Sequence, residues 1–418
     1  MYRLSLDTQG TDLQLHRQLT HWSKAIDRLG NWEELASEAA WQSLEYYLGT
    51  SIRYELSQSL QILNTSCRRL QMEYPQLSPD QAKRSLNKLR KRYLQMETTL
   101  DFFGDAINSR TSPQLAALLR ACDHMALQSM AVILKPMGHE VPPVLTYVDK
   151  GLGASILKAG LRLWDQKTIN PVAAIKVVRH NLLRPTSLIH ESGHQLAHML
   201  GWNEDLRALL YRQLADYSEE YATIWSSWAS EMAADTFAFV HTGYAAVCSL
   251  HDVLSGTDDF VFRFMPGDPH PISYLRVRWN IAMCRLAYGP GPWDELEQSW
   301  MRHYPIAEAG PELSDFFSWS ERFMTLIASI CLEEPLNCFR RRTIQDWISP
   351  QRVSPLALQQ LKYAAGNSWG NATHGQRQEA LRLLAWYGYQ IGTQAELAPK
   401  YIDEQRELLI KIGQNQSN

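Results

Sequence analysis

The chain has 418 residues, of which 45% are hydrophobic and 20% charged, a composition typical of a folded protein with a sizeable core. A formal net charge of −3 excludes a general electrostatic attraction to nucleic acid or to anionic membranes. The six cysteines are scattered without a CxxC pair, which is typical of reduced thiols rather than of a disulfide framework.

Targeting signals are not recognised in the sequence. The first residues, MYRLSLDTQGTDLQLHRQ, contain no apolar segment of the kind found in secretory signals. The longest apolar runs, near residues 130–134 and 326–332, are far shorter than the roughly 20 residues that cross a bilayer. We therefore expect a cytoplasmic protein without a membrane span.

Residues 1–135 are predicted to form an N-terminal helical region, because apolar residues recur at spacings of three and four. Ser78 and Pro79 form a helix start signal, and the helix that follows carries a basic run over residues 83–92. This run could form a nucleic-acid-binding face, but a solvated helix surface is the favoured interpretation. Nucleic acid is therefore not an expected partner.

From residue 136 the helical period gives way to prolines, glycines and short β-branched runs. Candidate strands lie at residues 144–148, 154–158, 161–164 and 172–178. The last candidate has the strongest pattern and consists of Val172, Ala173, Ala174, Ile175, Lys176, Val177 and Val178. If the chain binds an extended peptide, an exposed edge strand here would bind it by adding it to the sheet. The alternative is an ordinary core strand.

The next predicted helix carries the motif HESGHQLAH and is bounded by Pro185 and Gly201. His190 and His194 are four residues apart, so they lie one turn apart on the same face, where both rings can bind one metal ion. Glu191 lies next to the first histidine, where a general base would reach a water on that metal.

A further helix, predicted over residues 219–241, carries the motif EMAAD on an apolar stripe. Glu231 and Asp235 share a face with large apolar side chains, where ionised carboxylates need a partner or a metal. Glu231 as third ligand would complete the His2Glu set typical of catalytic zinc. Asp235 would accept a hydrogen bond from His190 and fix its tautomer. His198 is an alternative third ligand, although three histidines at i, i+4 and i+8 diverge around a helix.

A third motif, DPHPISYLRVRWN, places His270 before Pro271 at the predicted start of a helix, with Arg276 six residues after the histidine. Together, HESGH, EMAAD and HPISYLR resemble the gluzincin clan of zinc metallopeptidases. Within that clan they look most like the HtpX-like and CAAX-prenyl-protease family, whose pattern is HExxH, then ExxAD, then HPxxxxR. The resemblance covers roughly residues 140–290.

The resemblance implies one zinc ion per chain, with these ligands: His190, His194 and Glu231. It also implies that Glu191 is the general base and that Asp235 orients His190. His270 would donate a hydrogen bond to the oxyanion, and Arg276 would be a structural or electrostatic partner near the site.

We therefore expect a mainly α protein with an α+β zincin-like metallopeptidase core, a small sheet plus active-site helices, at residues 136–292. Helical regions at 1–135 and 293–418 would flank it and could bind a regulatory protein partner. The predicted function is a zinc-dependent endopeptidase acting on a protein or peptide substrate. One alternative is a proteolytically silent zincin-like scaffold that binds a protein partner. Another is that the two histidines are core residues and the glutamate is unrelated.

Overall fold

The prediction of a mainly α protein is confirmed by the structure, a computed structural model. It describes the following residues, without the side chains of 2–12, 374 and 376: 2–151, 153–164, 169–366, 369 and 374–414. Helices make up most of this chain, and one small sheet has three strands.

The chain forms two compact units that are each built from two segments. The first comprises Met1–Ala116 and Leu157–Ala174, and the second Ala117–Ile156 and Ile175–Asn418. The three predicted regions, 1–135, 136–292 and 293–418, divide the chain by sequence texture and remain a prediction.

The first unit is built mainly from three long helices with short ones between them. Its helices are α1 (Tyr2–Arg28), α2 (Trp32–Leu35), α3 (Glu38–Gln42), α4 (Tyr46–Glu73) and α5 (Pro79–Asn108). Both α1 and α4 pack against α5. As predicted, α5 begins at Ser78 and Pro79, where the side chains of Ser78 and Gln81 form a capping box. The basic residues of the 83–92 run are exposed on this helix.

The later part of the chain supplies the sheet and the remaining helices. Its strands are β1 (Val144–Val148), β2 (Ser155–Leu157) and β3 (Ala173–Val177). Its helices are α6 (Pro113–Leu134), α7 (Ser187–Leu200), α8 (Trp202–Leu214), α9 (Glu219–Ser227), α10 (Ala229–Thr242), α11 (Tyr244–Leu254), α12 (Asp258–Val261), α13 (Ser273–Tyr288), α14 (Pro292–His303), α15 (Ser314–Glu333), α16 (Ile344–Trp347), α17 (Pro355–Ala365), α18 (His374–Gln378), α19 (Ala380–Thr393) and α20 (Ala398–Gln414).

The strand order is β1-β3-β2, so β3 is the middle strand. The prediction of an edge strand at residues 172–178 is therefore wrong, because the backbone of β3 is already paired on both sides. Its side chains are almost all buried, as expected of a strand covered on both faces. The candidate strand at 161–164 is only an isolated bridge between Arg162 and Ile169.

The helix that carries EMAAD begins later than predicted, whereas the helix that carries HESGH ends where it is predicted to end. The predicted helix at 219–241 is interrupted at Trp228, which has non-helical backbone angles and separates α9 from α10. As a result, Glu231 lies in the first turn of α10. The helix α7 ends as predicted at Gly201, which has the left-handed conformation (φ 71°) that favours glycine.

By length and composition alone, α6 could cross a membrane, since it is long and one stretch of it is apolar. However, 67% of that stretch is buried inside the protein, and buried core helices of soluble proteins meet the same two criteria. The absence of a membrane span therefore stays a prediction.

Candidate metal centre

Two packed helices bring together the three predicted metal ligands. The helix α7 supplies His190 and His194, and α10 supplies Glu231. The Nε2 atom of His190 lies 3.4 Å from Oε2 of Glu231, and Nε2 of His194 lies 3.2 Å from Oε1 of the same carboxylate. One ligand atom from each of the three residues lies within 4.8 Å of the others.

These spacings fit a zinc ion. With bonds of about 2.0–2.1 Å, two ligand atoms of a tetrahedral zinc site are about 3.3 Å apart. The two nitrogen–oxygen distances at Glu231, 3.4 Å to Oε2 and 3.2 Å to Oε1, are close to that length, although they end on different oxygens of the carboxylate. Both imidazoles also direct Nε2 toward the carboxylate, so the donor set suits one ion bound by two nitrogens and one oxygen. His198, the alternative third ligand, is exposed farther along α7, outside this group.

Each of the two candidate ligand histidines has a partner for its other ring nitrogen. Nδ1 of His190 lies 2.8 Å from Oδ1 of Asp235. Nδ1 of His194 lies 3.4 Å from the hydroxyl of Ser230, a contact that the sequence analysis missed. Partners of this kind hold the Nδ1–H tautomer, which leaves Nε2 free for a metal.

Arg276 connects the two carboxylates of α10. It donates to both oxygens of Asp235 (2.7 and 2.8 Å) and to Oε2 of Glu231 (3.0 Å). Burial opposes ionisation of Glu231, but Arg276 and the two histidine ligands outweigh it, so the pKa of Glu231 lies well below its ordinary value. The pKa of Asp235 is lowered in the same way, against its burial, by Arg276 and His190. Both carboxylates are therefore held as anions.

The charge of these carboxylates also acts on His190. Burial lowers the pKa of this imidazole, but hydrogen bonds to Asp235 and Glu231 more than offset it and raise the pKa to about 10. Without a metal, the ring is thus stabilised as a cation. The same negative charge would favour a metal ion in place of the proton on His190, so that metal binding would release this proton.

Glu191 is buried beside the three ligands and lines the same cavity. Burial raises its pKa, an effect that the nearby histidines oppose and Glu231 reinforces. A raised pKa makes this carboxylate a stronger proton acceptor than an ordinary glutamate.

His270 lies in the segment just before α13 and also approaches Glu231. Its Nε2 lies 3.7 Å from Oε1 of Glu231, and its Nδ1 is bound to Asp268 at 2.7 Å. The side chain is 59% exposed, so it stands at the mouth of the site. Pro271 was predicted to lie in the first turn of the helix, but α13 begins at Ser273.

Asn280 is a second residue that the sequence analysis missed. It follows Arg276 by one turn of α13, so both side chains reach Asp235. Its amide nitrogen donates to Oδ2 of Asp235 at 3.2 Å and to the carbonyl of Arg276 at 3.0 Å. The side chain is 1% exposed. Its spacing from Arg276 is the only sequence signal that could have found it.

A cavity of about 260 Å³ opens beside the candidate metal ligands. His190, Glu191 and Glu231 line one end of it, and residues of α11 line one side. Gly153 and Ala154, which lead into β2, line it as well. The catalytic candidates thus face a space that a small part of a substrate can enter.

In comparisons with known proteins, no family model, no curated protein and no solved structure matches this chain.

Proposed function

We propose that the protein is a zinc-dependent endopeptidase with a zincin-like core. The observation that carries the proposal is the geometry of His190, His194 and Glu231: both imidazoles direct Nε2 at the Glu231 carboxylate, and one ligand atom from each residue lies within 4.8 Å of the others. Glu191, buried beside them on the cavity wall, supports a hydrolytic rather than a purely structural role. The likeness of three motifs to gluzincin peptidases supports the same reaction.

Each residue of the site would have a separate role in the reaction. Zinc, when bound, supplies a Lewis acid that lowers the pKa of a water molecule toward ~7. Glu191 would accept a proton from the attacking water and pass it to the amide nitrogen that leaves as the C–N bond breaks. Asp235 would hold His190 in its ligand tautomer through Nδ1.

His270 would act on the carbonyl oxygen of the scissile bond. Asp268 occupies its Nδ1, so Nε2 is the nitrogen directed at the site. A hydrogen bond from Nε2 would stabilise the negative charge that develops on that oxygen, a contribution of order 3 kcal/mol to the barrier in other enzymes.

The substrate backbone would run along β2. This strand lies at an edge of the sheet, and the two residues before it line the cavity with the metal ligands. An extended peptide could pair with such an edge by main-chain hydrogen bonds. A cytoplasmic location and a regulatory partner for the helical regions remain predictions.

Two substitutions test the assignment of the site. We expect Glu191→Gln to retain about one zinc per chain while peptide cleavage falls by at least about 10²–10⁴-fold, because only the proton acceptor is lost. We expect His194→Ala to lose both zinc and cleavage. Elemental mass spectrometry after dialysis gives the zinc content, and a peptide digest analysed by mass spectrometry gives the cleavage.

The wild type decides between the enzyme and its alternatives. Zinc without cleavage of any peptide would favour a silent scaffold that binds a protein partner. No zinc, even after reloading, would mean that the histidines and Glu231 are not a zinc site. A Glu191→Gln protein that still cleaved its substrate would contradict the assignment of Glu191 as the general base.

A further inference from the structure

A groove between α1 and α5, in the first unit, forms a larger cavity than the one at the candidate metal centre. Its volume is about 650 Å³, within the range of typical ligand-binding sites. Arg17, Lys83 and Arg90 line this α1–α5 groove together with three side-chain amides and a tryptophan. Two buried leucines, Leu15 and Leu86, line it as well. No carboxylate is found among the described residues that line the groove, so its charge is positive.

The positive charge of the groove is not compensated by its surroundings. Residues 13–26 of α1 and 81–96 of α5 contain no aspartate or glutamate, whereas 83–92 contains six lysines and arginines. Arg17, Lys83 and Arg90 are exposed, and none of them forms an ion pair within the part of the chain that the structure describes. Protein surfaces usually intersperse both signs of charge. This local excess therefore favours an anionic ligand over a purely solvated surface.

The cations are spread along the groove rather than gathered at one point. The lining residues of α1 extend over 14–22, about 12 Å along the helix axis. Lys83 and Arg90 are two turns apart on α5, which is about 10 Å. A single phosphate group would contact only part of this set. A stacked strand has one nucleotide about every 3.4 Å, so the groove matches the length of about three or four consecutive nucleotides.

The groove also contains groups that bind bases. Trp22 lines it, and Cζ of Arg90 lies 5.9 Å from the centroid of the Trp22 ring. Unpaired bases stack on aromatic rings and on guanidinium planes, and the amides of Gln14, Gln18 and Asn87 are suited to bind base edges. A cleft between two helices suits a single strand, because duplex DNA is contacted by an element that protrudes into its own groove.

We infer that the α1–α5 groove binds single-stranded nucleic acid, with Arg17, Lys83 and Arg90 contacting consecutive phosphates. This replaces the solvated helix surface that the sequence favours. It does not depend on the proposed peptidase reaction, since every lining residue belongs to the first unit. A neighbouring cavity between the same helices is lined by Glu97 and Asp101, whose negative charge would repel phosphates. The strand is therefore confined to the part of the groove without carboxylates.

The test is fluorescence anisotropy of the full chain with labelled strands of thymidine or uridine, about 12 nucleotides long, between about 50 and 200 mM salt. Binding of either strand supports the proposal, and their ratio distinguishes DNA from RNA. Three phosphate contacts give log K against log salt a slope of about −2, which is an about 20-fold loss of affinity over that range. The combined substitutions Arg17→Gln, Lys83→Gln and Arg90→Gln should weaken binding by at least about 10-fold at the lower salt concentration and make the slope shallower by about 2.

The matched control removes the same charge from the second unit. It combines Arg207→Gln, Arg212→Gln and Arg302→Gln, which change exposed arginines that form no ion pair with any described residue. Glutamine has nearly the helix propensity of arginine and lysine, and all six positions are exposed, so both variants should remain folded. We expect the control variant to keep the affinity and the salt dependence of the wild type.

A strand of the same length without bases separates base contacts from charge alone. We expect it to bind about fivefold or more weakly than the thymidine strand, because it cannot stack on Trp22 or Arg90. No binding at the lower salt concentration, equal affinity for the strand without bases, or tighter binding of a duplex would each overturn the proposal. Equal weakening in the two triple variants would overturn it as well, since the effect would then come from net charge rather than from the groove.

Discussion

At the scale of single residues, the negative charges of two buried carboxylates in the site are compensated by neighbouring side chains without a metal ion. Glu231 and Asp235 lie one turn apart on α10, and both are buried. Two such anions would repel each other and lack hydration. Arg276 reaches both, and His190 bridges them through its two ring nitrogens. The carboxylate of Glu231 is thus already oriented, which would lower the free-energy cost of arranging it around a metal ion.

Asn280 completes this arrangement, and its removal should weaken metal binding. In Asn280→Leu the shape is nearly kept but Oδ2 of Asp235 loses a donor, so the carboxylate that orients His190 is held less firmly. We expect zinc affinity to fall about 10–100-fold, the effect usual for partners of metal-bound histidines. Competition with a chromophoric chelator measures it.

A matched control separates orientation from general destabilisation. Ser320→Ala removes another buried hydrogen bond of the same unit, which Nε1 of Trp225 donates to the Ser320 hydroxyl at 3.1 Å. We expect it to lower the free energy of unfolding by about 1–3 kcal/mol and to leave zinc affinity unchanged. Equal zinc affinities for wild type and Asn280→Leu would show that Asn280 only stabilises the fold.

The sequence predicts some of these residues and misses others for a physical reason. His190, His194 and Glu191 follow from spacing within one helix, which is a local property. Asn280 and Ser230 act through contacts with residues 45 and 36 positions away. An amide or a hydroxyl has no pattern of its own, so the packing of α7, α10 and α13 identifies these partners, and the one-turn spacing from Arg276 is the single local hint at Asn280.

At the scale of elements, the site depends on how closely α7 approaches α10. Gly193 lies between the two histidines, and a Cβ atom added there would lie 2.9 Å from the Cα of Ala234 and 3.0 Å from the Cβ of Phe237. The glycine therefore lets two helix backbones come close enough for Glu231 to reach both rings. The cost of a glycine in a helix, about 1 kcal/mol against alanine, is offset by this contact.

Gly193→Ala should consequently damage stability and metal binding together. Because the clash is with backbone, the helices must separate, and we expect the free energy of unfolding to fall by about 1–3 kcal/mol. Zinc affinity should fall as well, since the ligands lie on the two separated helices. Urea unfolding and chelator competition provide the two measurements.

Gly49→Ala is the control for this substitution. Gly49 is also in a helix, α4, but its added Cβ would only touch Leu44 at 3.9 Å. The better helix propensity of alanine should make this variant as stable as the wild type or more stable by up to about 1 kcal/mol. If Gly193→Ala were equally benign, close packing would not be the reason for the glycine.

Sequence patterns predict these elements well only where local signals decide them. The cap at Ser78 and the stop at Gly201 follow from local backbone chemistry, and both are observed. The position of β3 inside its sheet depends on pairing with strands elsewhere in the chain, so the edge prediction failed. The break at Trp228 has no proline or glycine to signal it. It accompanies the burial of that indole in the core.

At the scale of the whole molecule, α10 is the central helix of the second unit. Every residue from Glu231 to Thr242 is buried, and the helix packs against α7, α8, α11, α13, α15 and α19. The helix that carries the carboxylates of the candidate metal site therefore also organises the core of this unit. Changes in the ionisation of α10 should consequently affect global stability.

His241, near the end of α10, makes this dependence measurable. Its ring is 5% exposed, packs on Phe237 and, among the described residues, has no hydrogen-bond partner at Nε2. Burial lowers its pKa to about 3. A hydrogen bond to the backbone of Ser129 opposes this shift, and the charge of Arg352 adds to it. The folded protein thus keeps this ring neutral where the unfolded chain, with a histidine pKa near 6.5, protonates it.

The sign of the effect follows from proton counting. Between pH 6.5 and about 3 the unfolded chain binds one more proton at this position than the folded protein, so His241 makes stability fall as the pH falls. The slope is up to about 1.4 kcal/mol per pH unit, and it vanishes above pH 7, where both states are neutral.

In His241→Phe this contribution is absent. We expect the free energy of unfolding, measured in urea from pH 4.5 to 8, to decrease less on acidification in the variant than in the wild type. The two curves should be parallel above pH 7 and diverge below it. Parallel curves over the whole range would mean that His241 is protonated equally easily in the folded and unfolded chains, against its burial in α10.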